Sequence, residues 1–162
     1  IVELERLPTN PKRPVDCDEL INGVATYTSP RAEKSGITFT QNVVGDLPVI
    51  QGYANELYKA LIELVDNALE HTPPGGSITL QARKDAGALM IVLADTGEGI
   101  PAEALPRVFD MMYRVEAHRP IGGQHSGLGL PIARKIIAQH GGLIALDSTV
   151  GKGTVVQIRL PL

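Results

Sequence analysis

The stretch NELYKALIELVDNALEHT (55–72) decides the fold of this chain. Leu57, Leu61, Leu64, Val65, Ala68 and Leu69 recur at helical spacing, which predicts an amphipathic helix with a single apolar stripe. Positions 56, 59, 63, 66, 67 and 70 fall on the opposite side. A polar stripe is most often a solvated face, but this one gathers Glu63, Asp66, Asn67 and Glu70 with little basic compensation. Like charges at such spacings disfavour a helix, so a cation lying against them would offset the cost. A hard divalent ion such as Mg²⁺ takes oxygen ligands, usually one or two from the protein and others from substrate phosphates. Asn67 or Glu63 can supply that oxygen.

Working outward, Pro73-Pro74-Gly75-Gly76 ends this helix. SITLQARKD (77–85) and ALMIVLAD (88–95) then read as strands joined by a tight turn around Ala86-Gly87. Residues 96–126 are irregular, with one short helical stretch near 101–110. LGLPIARKIIAQH (128–140) is a second strong helix, stopped by Gly141-Gly142. LIALDST (143–149) and GTVVQIRL (153–160) form another hairpin around Val150-Gly151-Lys152. Upstream, ITFTQNV (37–43) alternates and is β-branched, hence a strand. Residues 15–36 look helical after a cap at Asp16 or Asp18, although Pro30 argues against one uninterrupted helix. Pro8, Pro11 and Pro14 make residues 1–14 a poor core candidate. The order favours an α/β fold, a two-layer α/β sandwich whose mixed sheet is covered by helices on one face.

The 162 residues suit one domain with a proper core, and 43% hydrophobic with 20% charged residues is ordinary globular composition. A net charge of −3 leaves no basic footprint for nucleic acid. Cys17 is the only cysteine, so neither a disulfide framework nor a Cys/His metal cluster is expected, and a reducing cytoplasmic setting fits. No apolar run approaches the length of a membrane span. The chain begins at Ile1 in the middle of what reads as a helix or linker, as a piece of a longer protein would.

Two further segments carry chemistry. DTGEGIP (95–101) follows an apolar strand directly, and a carboxylate at a strand's end with glycines behind it can face a ligand. The plainer alternative is a turn that Asp95 caps. GEGIPA (97–102) also matches a dinucleotide fingerprint, but no βαβ unit follows it. SGLGL (126–130) resembles a phosphate-binding helix start, where free backbone N–H groups attract anions. No Walker A motif is present.

In this order, ELVDNALEHTP (63–73), DTGEGIP and SGLGL resemble the N, G1 and G2 boxes of the Bergerat-type ATP-binding fold. Sensor histidine kinases, DNA gyrase B subunits, Hsp90 chaperones and MutL-type repair ATPases share that fold. RVFDMMYR (107–114) is similar to the F box of histidine kinases, and the ending HGGLIALDSTVGKGTVVQIRLPL (140–162) is typical of that branch. The resemblance covers residues 15–162 as a catalytic ATP-binding domain, with 1–14 as a linker or the tail of an upstream dimerisation helix.

That resemblance implies a kinase that passes the γ-phosphoryl group of Mg-ATP to a histidine on its own dimerisation domain, and thence to a response regulator. Asn67 would hold Mg²⁺ against the phosphates. Asp95 would bond the adenine amino group, with Gly97 and Gly99 shaping that wall and the His71 ring packing nearby. Gly127, Leu128 and Gly129 would open the helix that receives the phosphates. Arg114 would face the terminal phosphate, and residues 114–126 would be a mobile lid. Two departures stand out. Glu63 replaces the first N-box asparagine, as in the gyrase and Hsp90 branches, and in a kinase it can assist the acceptor histidine. Glu70 stands where many kinases carry a basic residue, which leaves charge neutralisation to Mg²⁺, Arg114 and Arg119.

His71, His118, His125 and His140 are followed by Thr, Arg, Ser and Gly, whereas an acceptor histidine is commonly followed by an acidic residue. The acceptor is therefore expected upstream, with residues 1–7 as the end of its segment. Neither nucleic acid nor direct membrane contact is expected of this domain, though its parent can be an inner-membrane sensor. Two alternatives remain at this point. One is a nucleotide-binding regulatory module without phosphotransfer, the other an ATPase of the gyrase or Hsp90 type.

Overall fold

A computed structural model describes residues 10–107 and 129–162. In chain order these form β1 (Arg13–Asp16), α1 (Cys17–Lys34), β2 (Thr38–Val44), β3 (Val49–Gly52) and α2 (Ala54–His71). Then come β4 (Ser77–Asp85), β5 (Ala88–Asp95), a 3₁₀ turn (Leu105–Arg107), α3 (Gly129–Gln139), β6 (Leu143–Thr149) and β7 (Gly153–Pro161). The main sheet runs β2-β4-β5-β7-β6, with β2 parallel to β4 and every other pair antiparallel. It is the mixed sheet that the sequence predicts.

Strand alternation explains why the helices share one face. Leu80, Leu93 and Val156 stand in one cross-strand row, and Ala82, Ile91 and Ile158 in the next; all six are buried. Against them pack Ile21 and Val24 of α1, Leu57, Leu61, Leu64 and Val65 of α2, and Ala133, Ile136 and Ile137 of α3. The opposite face carries Gln81, Arg83, Gln157 and Arg159, none of them buried. One row beyond Leu80–Leu93–Val156, the same period brings Ile78, Asp95, Thr154 and Ser148 into line. A carboxylate and two hydroxyls thus replace apolar side chains on the helix side of the sheet's end.

Two features depart from the sequence reading. β1 and β3 pair antiparallel as a separate two-stranded sheet, with Val15 opposite Ile50 and both buried. Each is four residues long, too short for alternation to reveal, and Pro14 sits in a strand paired on one side only. α1 begins at Cys17, with the Asp16 side chain accepting the Glu19 amide at 3.2 Å. It then continues through Pro30 instead of breaking there. Pro30 removes only one late hydrogen bond, and Val24, Thr28 and Ala32 are buried on either side of it. GEGIPA leads into a turn and the 3₁₀ segment, in keeping with the rejection of the dinucleotide fingerprint.

His140 ties the helices together. Its ring is 6% exposed, with Nε2 accepting the Tyr53 amide at 3.0 Å and Nδ1 donating to the Ile136 carbonyl at 2.8 Å. These bonds require the neutral tautomer protonated at Nδ1. Tyr53 is the N-cap of α2 and makes no side-chain cap bond of its own, so the histidine anchors the start of that helix. Burial pushes the His140 pKa below 6.5 and nearby Lys12 adds to this, while the Ile136 bond and Glu56 oppose it. Because the folded value is the lower one, the contribution is complete above about pH 6.5 and is lost as pH falls through the folded pKa. His140→Gln should therefore be less stable than wild type at pH 7.5, and the gap in melting temperature should narrow on acidification to pH 5.5. A gap independent of pH would refute the role.

Candidate nucleotide-binding site

The candidate site is built from three pieces of the fold. The first is the glycine turn after Asp95. Asp95 Oδ1 accepts the amides of Gly97 at 2.8 Å and of Thr154 at 3.3 Å. These bonds fix the carboxylate through one oxygen and leave Oδ2 for a ligand. Burial pushes the Asp95 pKa up, while the two amides and the nearby His71 pull it back. The turn is sewn down on both sides. Glu98 N–H donates to the His71 carbonyl at 3.2 Å, and Gly151 N–H donates to the Glu98 carbonyl at 2.8 Å. Gly99 lies at φ +79°, and a Cβ there would run into the Thr149 carbonyl. Gly153, at φ +120°, lies against the Asp95 carbonyl in the same way. Side chains at these two positions would force the turn and the β6–β7 hairpin apart.

The second piece is the C-terminal half of α2. Glu63, Asn67, Glu70 and His71 are all half-buried there. His71 ends the helix, with Nδ1 3.5 Å from the Glu98 carboxylate. Asp66 has a different task from the one its place on the acidic stripe suggests. It accepts the Tyr27 hydroxyl at 2.7 Å and so joins α2 to α1. Tyr27 also stacks under Arg31, whose guanidinium carbon is 3.6 Å from the ring centroid. Asp66 is therefore partnered within the fold, by a hydroxyl from α1.

The third piece is the start of α3. The Tyr53–His140 bond puts the end of α3 at the beginning of α2, so the two packed helices run in opposite directions. The 11 residues of α3 span about 16 Å, which brings Gly129 roughly level with residues 63–67 of α2. This antiparallel packing sets the helix start at about the height of Asn67 along α2. Arg114, Gly127, Leu128, His118, His125 and almost all of the F box lie outside the described residues.

The sequence reading missed Thr154 and Ser148. Both follow from the predicted hairpin, since a three-residue connection between 149 and 153 sets Ser148 opposite Thr154, and alternation turns both toward the helix side. Among the described residues no three His, Cys, Asp or Glu side chains cluster as a metal cage. The donors present are hard oxygens on one helix, which suits Mg²⁺ shared with phosphates better than a site built from protein alone.

An acidic strand end with a glycine turn behind it, an oxygen-bearing helix face and the start of a second helix are the described parts of the site. The chain belongs to the histidine kinase-, DNA gyrase B- and HSP90-like ATPase family, whose model matches residues 52–162. Its relatives include sensor proteins and a sensory kinase. The adaptive-response sensory kinase SasA of Thermosynechococcus vestitus is 33% identical over 93% of this chain and 39% of its own length. The catalytic domain of histidine kinase ThkA superposes with a TM-score of 0.80 at 26% identity, covering 93% of this chain and 95% of that domain. Full-length ShkA in complex with AMPPNP gives 0.84 at 28% identity, over 99% of this chain and 33% of ShkA. The fold is that of histidine kinase catalytic domains. The chain spans only 16 to 39% of the length of the first curated relatives it matches.

Proposed function

We propose that this chain binds Mg-ATP as the catalytic domain of a sensor histidine kinase and delivers the γ-phosphoryl group to a histidine of its own upstream dimerisation domain. A response regulator then receives the group. The observation that carries this reading is the wall formed by Asp95, one oxygen of which is held by the Gly97 and Thr154 amides while the other is left for an amino group on a base. Such a wall takes adenine, because a carboxylate only accepts hydrogen bonds. The triphosphate then extends toward Gly129, whose helix start attracts anions.

Asn67 is the Mg²⁺ ligand and Glu63 the carboxylate beside the transferring group. When bound, the ion spreads the charge of the transferring phosphate. In this reading Glu63 accepts a proton from the attacking histidine, and Asn67 holds the phosphates through the ion. In the family pattern Arg114, Gly127 and Leu128 complete the phosphate end. Both the cytoplasmic location and the absence of membrane contact belong to this proposal. No helix among the described residues is long and apolar enough to cross a membrane.

None of this chain's histidines has the context of an acceptor, and His140 is committed to the fold. Incubated alone with γ-labelled ATP, the chain should stay unlabelled; adding the dimerisation domain of its parent should produce acid-labile label on that domain. Stoichiometric label on this chain itself, or none on the added domain despite ATP binding, would overturn the kinase reading.

A further inference from the structure

Ser148 Oγ lies within hydrogen-bond distance of three groups: the Ile100 amide at 2.7 Å, the Gly153 carbonyl at 3.0 Å and Thr154 Oγ1 at 2.8 Å. A hydroxyl has one proton to give and two lone pairs to offer. The Ile100 amide can only donate, so it occupies one lone pair. The Gly153 carbonyl can only accept, so it takes the proton. Thr154 is the one neighbour able to play either part, and what remains for it is to donate into the second lone pair of Ser148. Only this arrangement satisfies all three contacts.

The consequence falls on Thr154, not on Ser148. With its proton committed, Thr154 Oγ1 has only lone pairs left for any other neighbour. It stands beside Asp95 in the last row of the sheet, where Asp95 Oδ1 is already occupied by two amides. These two side chains therefore present acceptors and no donor. A freely rotating hydroxyl would meet an exocyclic amino group or an oxo group equally well; one held by Ser148 meets only the amino group. We propose that Ser148 is a positioning residue for base specificity, fixing Thr154 as an acceptor so that the pocket takes a 6-amino purine over a 6-oxo purine. The proposal rests on the nucleotide-binding reading above.

The test is calorimetric titration of the chain with ADP and with IDP, which carries an oxo group in place of the 6-amino group and, with it, a proton on N1. Wild type should prefer ADP. Ser148→Ala should narrow the ratio of affinities by about tenfold, because Thr154 regains the freedom to donate to the oxo group. Ser148→Thr, which keeps the hydroxyl, should keep the ratio. Thr154→Val should narrow it too, and adding Ser148→Ala to that background should change nothing further. A Ser148 that merely braces Ile100 would lower both affinities by one factor and leave the ratio alone, which would overturn the proposal. Should Ser148→Ala fail to fold, Thr154→Val decides: an unchanged ratio there refutes it. Binding of neither nucleotide by wild type would overturn the nucleotide reading together with this inference. An ADP preference undiminished in both variants would overturn this inference alone.

Discussion

Asp95→Ala is expected to lower the affinity for ATP and ADP by roughly tenfold to a hundredfold and to remove most of the preference for them over GTP and GDP, as read by calorimetry. That range corresponds to the ~1.5–3 kcal/mol of a hydrogen bond to a charged group. Selectivity should fall with it because the wall works by refusal as much as by attraction. Guanine turns a carbonyl oxygen toward the place where adenine turns its amino group, so two acceptors would meet with no proton between them, and sites of this kind discriminate strongly. Stability should change less than affinity. Removing the carboxylate leaves the Gly97 and Thr154 amides without an acceptor, but the turn keeps its bonds from Glu98 to His71 and from Gly151 to Glu98. Acid should imitate the substitution in part. Burial pushes the Asp95 pKa up, and a protonated carboxyl can donate to the guanine carbonyl, so the preference for ATP should shrink as pH falls through that raised value. Equal affinities for ATP and GTP in wild type, or an unaffected Asp95→Ala variant, would place the base elsewhere.

Much of this was legible because it is local. The apolar stripe of residues 55–72 is a periodicity that any eighteen consecutive residues can display, and the helix is observed as Ala54–His71. Both hairpins announce themselves through their turns; Ala86 and Gly87 have φ of +47° and +79°, as a two-residue connection requires. What escaped is non-local. β1 and β3 recognise each other across α1, and neither has four residues' worth of pattern to show it. Nothing near Asp66 announces Tyr27, which lies 39 residues upstream and reaches it only after α1 has packed on α2. A stripe of three carboxylates and an amide therefore looks uniform in sequence, although the fold divides it. Thr154 and Ser148 were within reach in principle, because the hairpin and the alternation that align them with Asp95 are both readable. Their value becomes visible only when β5 and β7 are known to be neighbours, a pairing that joins residues 59 positions apart.

The divided stripe gives the other large expected effect. Asn67→Ala should abolish most of the Mg²⁺-dependent part of ATP affinity while leaving the melting temperature within a degree or two of wild type. Asn67 is half-buried on the polar side of α2, away from the apolar residues that hold the helix to the sheet, and alanine is a better helix former. Asp66→Ala, one residue away, should do the reverse. It takes the acceptor from the Tyr27 hydroxyl, and a lost hydrogen bond to a charged group costs about 1.5–3 kcal/mol of stability. Affinity for Mg-ATP should be retained, since Asp66 faces α1. Adjacent positions on a helix point about 100° apart, so such neighbours can serve a ligand and the core independently. The readouts are titration with ATP in Mg²⁺ and in chelator, beside thermal unfolding of each variant. If Asn67→Ala melts early with its Mg²⁺-dependent affinity intact, the residue is structural and the metal sits elsewhere. If Asp66→Ala loses affinity and keeps its stability, the Tyr27 contact does not hold the carboxylate away from the ligand, and Asp66 belongs to the site.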